Sequence, residues 1–251
     1  MFWKNKKTRT LIIVMGVLFV AVIIISQWYY EKMNASVDPR IKPARELYKS
    51  YNSYATVNDF DSLFYLMDTI ESIYSSVAHY AKSYEIGVLY NNRAAAYLTM
   101  GIYDSTINET ERDSIVLLGE ISAREGIRIY EDWKRDYAEL TEDEVISKVK
   151  SDFNIDEIKA AQDELESYLD TRINEIIDTQ VEIDRRLSVS YTNLGIVYRY
   201  RMQYDSAAYC YEEALDLWEQ NLSAENNLNV LLGRPQKKSN FIQRMFPPDR
   251  L

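Results

Sequence analysis

Catalysis draws on a small set of side chains, and this chain holds few of them in working combinations. It has one histidine, His79, and one cysteine, Cys210. Zinc sites and histidine-based triads need more histidine, cysteine or convergent partners than that. A single thiol also excludes an internal disulfide, and Cys210, among Tyr209, Tyr211 and Ala214, reads as a buried, inert one. His79 has no nucleophile signature beside it and reads as a surface or interhelical residue. The acidic runs "ETERD" (109–113) and "TEDE" (141–144) lack the glycine spacing of a calcium loop, and acids at helix starts suit the helix dipole. No glycine-rich phosphate cradle occurs, and no pair of carboxylates stands out for acid–base work. The expectation is a non-enzyme without cofactor or metal. Sequons at Asn34, Asn108 and Asn221 matter only in a glycosylating cell.

Charge narrows the partners. The 251 residues sum to −10, unevenly placed. Lys4, Lys6, Lys7 and Arg9 make the first ten residues basic, and Arg234, Lys237, Lys238, Arg244 and Arg250 against Asp249 make the last eighteen basic. The body between them carries −18, which repels phosphate backbones, so no nucleic-acid partner is expected.

The stretch "KNKKTRTLIIVMGVLFVAVIIISQWYY" runs from basic residues through fifteen apolar ones, Leu11 to Ile25, to the aromatic trio Trp28, Tyr29 and Tyr30. Residues 10–30 match the ~20 residues that cross a ~30 Å hydrocarbon core, with aromatics at an interface. A cleaved signal peptide is the rival reading, weakened by Met33 at the −3 position of a cleavage after Ala35. The expectation is a retained single-pass anchor with residues 1–9 as a cytoplasmic basic tail. The rest then lies on the exported side, the periplasm in a Gram-negative cell. Residues 31–43 read as a tether and 233–251 as a basic, disordered C-terminal tail.

Seven glycines and five prolines are too few for a many-stranded fold, and 47% hydrophobic residues fit an ordered one. The expected class is all-α, with helices near 44–56, 59–76, 78–100, 103–140, 142–152, 155–201 and 204–222. Thr141 with Glu144, and Asn154 with Glu157, give capping-box starts. In 155–201, Leu169, Ile173, Ile176, Ile183, Leu187 and Leu194 form a 4-3 stripe interrupted by Gln180; Ile129, Trp133, Tyr137 and Leu140 form another. Two long helices over about 114–187 are therefore expected as an antiparallel, coiled-coil-like projection, with eroded repeats as the alternative.

Tyr191, Leu194, Gly195, Tyr198, Tyr204, Ala207, Tyr211 and Ala214 lie at steps of 3, 1, 3, 6, 3, 4 and 3. That spacing puts one stripe on each of two helices, with small residues where the backbones approach. The pattern resembles a tetratricopeptide repeat at all eight positions, without the family's closing proline at Glu219. A second window keeps Tyr90, Ala94, Tyr97, Gly101 and Tyr103, and a third, from Leu47, keeps only the spacing. The units would be 188–221, 87–120 and 44–77, within a helical domain at 44–232.

The resemblance implies a groove lined by the first helix of each unit, where asparagines contact bound peptide. Asn52, Asn92 and Asn193 fall at such places, and Arg199 and Tyr200 would line the same groove. The bland readings stand beside these: helix-to-helix hydrogen bonds for the asparagines, and a solvated arginine with a half-buried tyrosine for the other two. Tyr48, Thr192 and Ile196 stand where a carboxylate clamp would need lysine or arginine, so that mode is not expected.

The functional expectation is a membrane-anchored scaffold that recruits a protein partner, with the long helices also offering a surface for homo-oligomerisation. Proteins of this layout assist secretion and envelope assembly, which is what the resemblance implies for pathway. Two alternatives stay open. One is a ligand-sensing or enzymatic pocket between the long helices, and the other is a cytoplasmic-facing adaptor of reversed topology.

Overall fold

The computed structural model describes the backbone of residues 6–238, with side chains at 10–26, 36–155 and 157–238. The first five residues of the expected basic tail, and the C-terminal tail beyond 238, lie outside the described residues. So do the side chains of 6–9 and 27–35, with the aromatic trio. Among the described residues every regular element is a helix.

α1 (Lys6–Ala35) carries the apolar run, and its side chains from Leu11 to Ile25 are mostly exposed. Among the described residues no helix is long and apolar enough to cross a membrane.

Residues 36–43, the second part of the expected tether, are docked on the helical body. Val37 and Ile41 are buried in the core, and Arg40 binds Asp38 at 2.7 Å while donating to the Phe153 carbonyl at 2.9 Å. The guanidinium also lies 5.1 Å from the Phe153 ring centroid. Two apolar anchors and a clamped arginine fix the chain as it enters the helical body.

The helix expected over 44–56 divides into α2 (Lys42–Tyr48) and α3 (Tyr51–Thr56). Asn58, at φ 55°, turns the chain, and Asp59 then caps α4 (Phe60–Ser75) by accepting from the Ser62 N–H at 3.2 Å. α4 buries Leu63, Leu66, Met67, Ile70 and Tyr74, a 3-4 stripe that packs against α2 and α5. Each such aliphatic side chain contributes about 1.5–3 kcal/mol by leaving water.

α5 (Tyr84–Tyr103) and α6 (Glu109–Tyr137) form the most extensive helix pair. Gly87 faces Tyr130, Gly101 faces Val116, and Gly119 faces Leu98, which fixes an antiparallel register. α6 starts at Asn108, whose side chain accepts from the Glu111 N–H at 2.9 Å. The helix therefore starts six residues later than the expected 103.

α7 (Glu142–Asp152) begins at the Thr141–Glu144 capping box and buries Val145 and Val149. Asn154 does not cap a helix of the expected length. It adopts the left-handed region, φ 50°, before a single 3-10 turn, and α8 runs instead over Gln162–Tyr200.

At 39 residues α8 spans ~58 Å. α6 and α8 run antiparallel: Arg201 bonds Glu120, Arg124 bonds Tyr198, Tyr191 bonds Glu131 and Lys134 bonds Asp184. Gln180, the polar break in the stripe, donates to the Tyr137 and Leu140 carbonyls at 2.6 and 2.9 Å, closing the end of α6. The pair is not a projection. Leu169, Ile173, Ile176, Ile183 and Leu187 are buried in the same core as Ile41, Met67, Leu89 and Val149. The long helix is long because it crosses the whole body, not because it leaves it.

α9 (Tyr204–Leu217) folds back on α8 after a turn through Met202, at φ 58°. It ends at Trp218, and a separate α10 (Leu222–Leu231) follows where one helix to 222 was expected. Leu194, Gly195, Ala207, Tyr211 and Ala214 are buried, and Tyr90, Tyr97, Tyr191 and Tyr198 are partly so. Tyr103 and Tyr204, expected in the packing, are 74% and 55% exposed. Tyr103 is the last residue of α5 and Tyr204 the first of α9, so the same tripeptide Tyr-Asp-Ser, at 103–105 and 204–206, ends one helix and begins another. The start of the tail lies on the body: Asn226 bonds the Lys237 backbone at both N–H and carbonyl, 2.7 and 3.0 Å.

Candidate functional site

Among the concave regions of the described residues, two gather tyrosine and arginine side chains from several helices. The larger, about 630 Å³, opens between α6, α8 and α9 and is walled by Arg124, Arg128, Tyr191, Tyr198 and Tyr209, with Cys210 among its lining residues. These residues arrive together because α6 and α8 are antiparallel and α9 returns along α8. Arg124 donates to the Tyr198 hydroxyl at 2.6 Å and lies 5.7 Å from its ring centroid, and Glu120 accepts from the same arginine at 2.8 Å. Tyr191 donates to Glu131 at 3.1 Å. The rings are thus oriented by charge partners while Tyr209 stays 58% exposed. Burial pushes the Cys210 thiol up to about 11, so it is a protonated, unreactive wall at neutral pH.

The second region is a polar cleft of about 280 Å³ where α2, α5, α6, α8 and α10 converge. Two of the expected groove asparagines meet here. Asn92 donates to the Tyr48 hydroxyl at 2.7 Å, tying α5 to α2. Asn193 is buried and donates to the Asn91 carbonyl at 3.4 Å, tying α8 to α5. Both therefore line a cavity and pin helices, so the two readings of the sequence coexist in the same side chains. Asn91 completes the seam by donating to the Arg186 carbonyl at 3.1 Å and accepting from Ser190. Asn221, the cap of α10, donates to Ser188 at 2.7 Å and Thr192 at 2.9 Å.

The other three groove candidates lie elsewhere. Asn52 is on an exposed face of α3. Tyr200 donates to Asp113 at 3.3 Å and covers the small cluster of Leu98, Val116 and Val197. Arg199 is partly buried and lines neither cavity. Asn52 is on another helix, and Tyr200, seven residues past Asn193, lies about two turns further along α8, beyond the cleft.

Sequence reasoning missed Arg186 and Tyr130. Tyr130 is fully buried, and its hydroxyl faces Arg186 and Asn91 without completing a hydrogen bond. Burial raises its pKa, and those two neighbours oppose the rise. The Arg185–Arg186 doublet was the available signal, yet nothing local says that it meets a tyrosine 56 residues earlier.

His79 lies beside a third cavity, of about 290 Å³, with Trp133, Asp152 and Arg172. Its Nε2 accepts from Arg172 Nε at 3.0 Å. Burial, and then the adjacent Arg172, lower its pKa to about 4, so it is a neutral acceptor near pH 7. Arg172 is itself held by Glu85 at 2.6 Å and lies 4.4 Å from the Tyr80 ring centroid. Burial would raise the Glu85 carboxyl, but Arg172 and Arg45 outweigh it and hold the group below its ordinary range. The cluster is a buried charge lock on α2, α5 and α8, and His79 completes it as an interhelical residue. No family model, curated protein or solved structure matches this chain.

Proposed function

We propose that this protein is a membrane-anchored scaffold of the tetratricopeptide-repeat kind, which holds a protein partner on the exported side of the membrane. The observation that carries the reading is the open aromatic cavity between α6, α8 and α9. Tyrosine and arginine are the residue types enriched in interface hot spots, and here Tyr191 and Tyr198 are pre-oriented by Glu131 and Arg124. The anchor is supported by the exposed apolar run from Leu11 to Ile25 beside a basic flank. The repeat kinship is supported by the two hairpins, α5–α6 and α8–α9, each closed by a tyrosine ring over a glycine. A role in secretion or envelope assembly follows from that kinship, and a homo-oligomer would use the same exposed tyrosines.

Alkaline extraction of membranes, protease digestion of intact spheroplasts, and photocrosslinking from position 209 test the three parts. The expected results are retention in the pellet, digestion of the helical domain from outside, and one stoichiometric protein adduct. A protein washed into the supernatant, or a domain shielded from protease, would sink the anchor or its orientation. Loss of no adduct on Tyr191→Ala and Tyr198→Ala would sink the cavity as the binding surface.

A further inference from the structure

The polar cleft carries an inference that does not depend on anchoring or on a protein partner. We propose that it binds a small monocarboxylic acid, with Arg186 as the counter-ion and Tyr130 as a buried hydrogen-bond donor.

Charge is the first argument. The chain sums to −10, yet the cleft lining contains Arg185 and Arg186 and no acid. Arg185 is occupied by Glu182 at 2.7 Å. Arg186 has no carboxylate within ion-pair distance among the described residues, and its Nε is buried without a hydrogen-bond partner. The neighbouring arginines behave differently: Arg40, Arg45, Arg93 and Arg172 each bind a carboxylate of this chain. An adjoining cavity that shares Tyr48, Val88 and Arg186 does include Glu85, but that carboxylate is taken by Arg172. The Tyr84 ring, 5.3 Å from the Arg186 guanidinium carbon, supports the group from one face.

Unsatisfied polarity is the second. A buried polar atom without a partner costs about 1–3 kcal/mol, and two lie together here, Arg186 Nε and Tyr130 Oη. One carboxylate can accept from both, since its two oxygens take up to about four bonds. The Tyr48 hydroxyl accepts from Asn92, which leaves its own proton available at the rim.

The ligand class follows from charge and size. One uncompensated guanidinium among neutral amides and hydroxyls matches a single negative charge, whereas a dianion would leave a buried charge unpaired. The planar fork of arginine suits the two oxygens of a carboxylate. The cleft, at about 280 Å³, lies just below the usual ~300–1,000 Å³ of ligand pockets, and Val88 and Val189 give it an apolar side. A short aliphatic or acylated acid fits those terms better than a peptide chain.

The test is titration calorimetry on the full chain in detergent micelles, with N-acetylglycine, its uncharged methylamide, methyl phosphate, and a pentapeptide with free or amidated carboxyl end. Saturable binding of N-acetylglycine without the methylamide is expected, with Arg186→Gln weakening it at least ~10-fold and Arg185→Gln less than ~3-fold. Tyr130→Phe should weaken it while raising the melting temperature of the free protein, because that change removes an unpaired buried hydroxyl. This second readout keeps the test decisive if Arg186→Gln fails to fold. Equal binding of acid and methylamide, preference for methyl phosphate, binding of the pentapeptide alone, or no saturation by about 10 mM acid would each overturn the proposal.

Discussion

The ring of Tyr130 fills the space that a side chain on Gly87 would need. A Cβ built on Gly87 would lie 2.5 Å from Cε1 of Tyr130, and one built on Gly195 would lie 2.5 Å from Cε1 of Tyr211. Two hairpins have thus reached one solution, a bare backbone beneath a buried phenol. In α8–α9 the pair lies near the turn. In α5–α6 it lies at the far end, which is why the partners are so much further apart in sequence.

Gly87→Ala and Gly195→Ala should each destabilise the protein by about 1–3 kcal/mol, the usual cost of forcing atoms into a filled core. Gly16→Ala, with nothing within 4 Å, should leave urea midpoints unchanged. Tyr211→Leu in the Gly195→Ala background should recover part of the loss, since it removes the clashing ring. Matched denaturation curves for the four variants check this.

Much of the fold was legible because local rules and tertiary packing agree where helices are long. The stripe from Leu169 to Leu194 is buried as spaced, the Thr141–Glu144 box caps α7, and the turn at 201–203 is in place. Errors came where a local signal has two outcomes. Asn154 followed by Glu157 reads as a cap, but Asn also tolerates the left-handed region, and that outcome won. The spacing predicts a helix from 103, but Asp104 instead closes a turn by accepting from the Thr106 N–H and hydroxyl. Of the groove candidates, Asn92 and Asn193 came together. Arg186 with Tyr130, and His79 with Arg172, were invisible because only the assembled helices bring them into contact.

Stability should fall on mild acidification because of His79. Its pKa drops from 6.5 to about 4 on folding, so between those values the unfolded chain holds a proton that the folded chain lacks. Stability from this group is complete above about pH 6.5 and is lost as pH falls toward 4, by about 3 kcal/mol in all. His79→Gln should flatten the dependence between pH 6.5 and about 5.5, a window above most of the carboxylate titration. Chemical denaturation across that range reads the slope directly.

Glu85→Gln should cost about 3–5 kcal/mol, because it leaves the buried Arg172 guanidinium without its main counter-charge. The double change Glu85→Gln with Arg172→Met should be markedly less harmful than the sum of the two, since neither charge is then left alone. A double-mutant cycle in urea measures the difference.

Asn221→Ala should lower stability by about 2 kcal/mol. The residue caps α10 through the Ala224 N–H and joins Ser188 and Thr192, so both a cap and two interhelical bonds go. The same burial bears on glycosylation: the sequon at Asn221 is 3% exposed, and mass spectrometry of protein made in a glycosylating host should find it unmodified.

Because α8 belongs both to the core that encloses Ile41 and Met67 and to the hairpin closed by Tyr211, neither end can melt without fraying a rod that the other requires. Arrays of short hairpins shed their terminal members one by one. Here a continuous spine ties the first docked residue to the last turn, so heat should dissolve the whole body in one step, with the calorimetric and van't Hoff enthalpies equal.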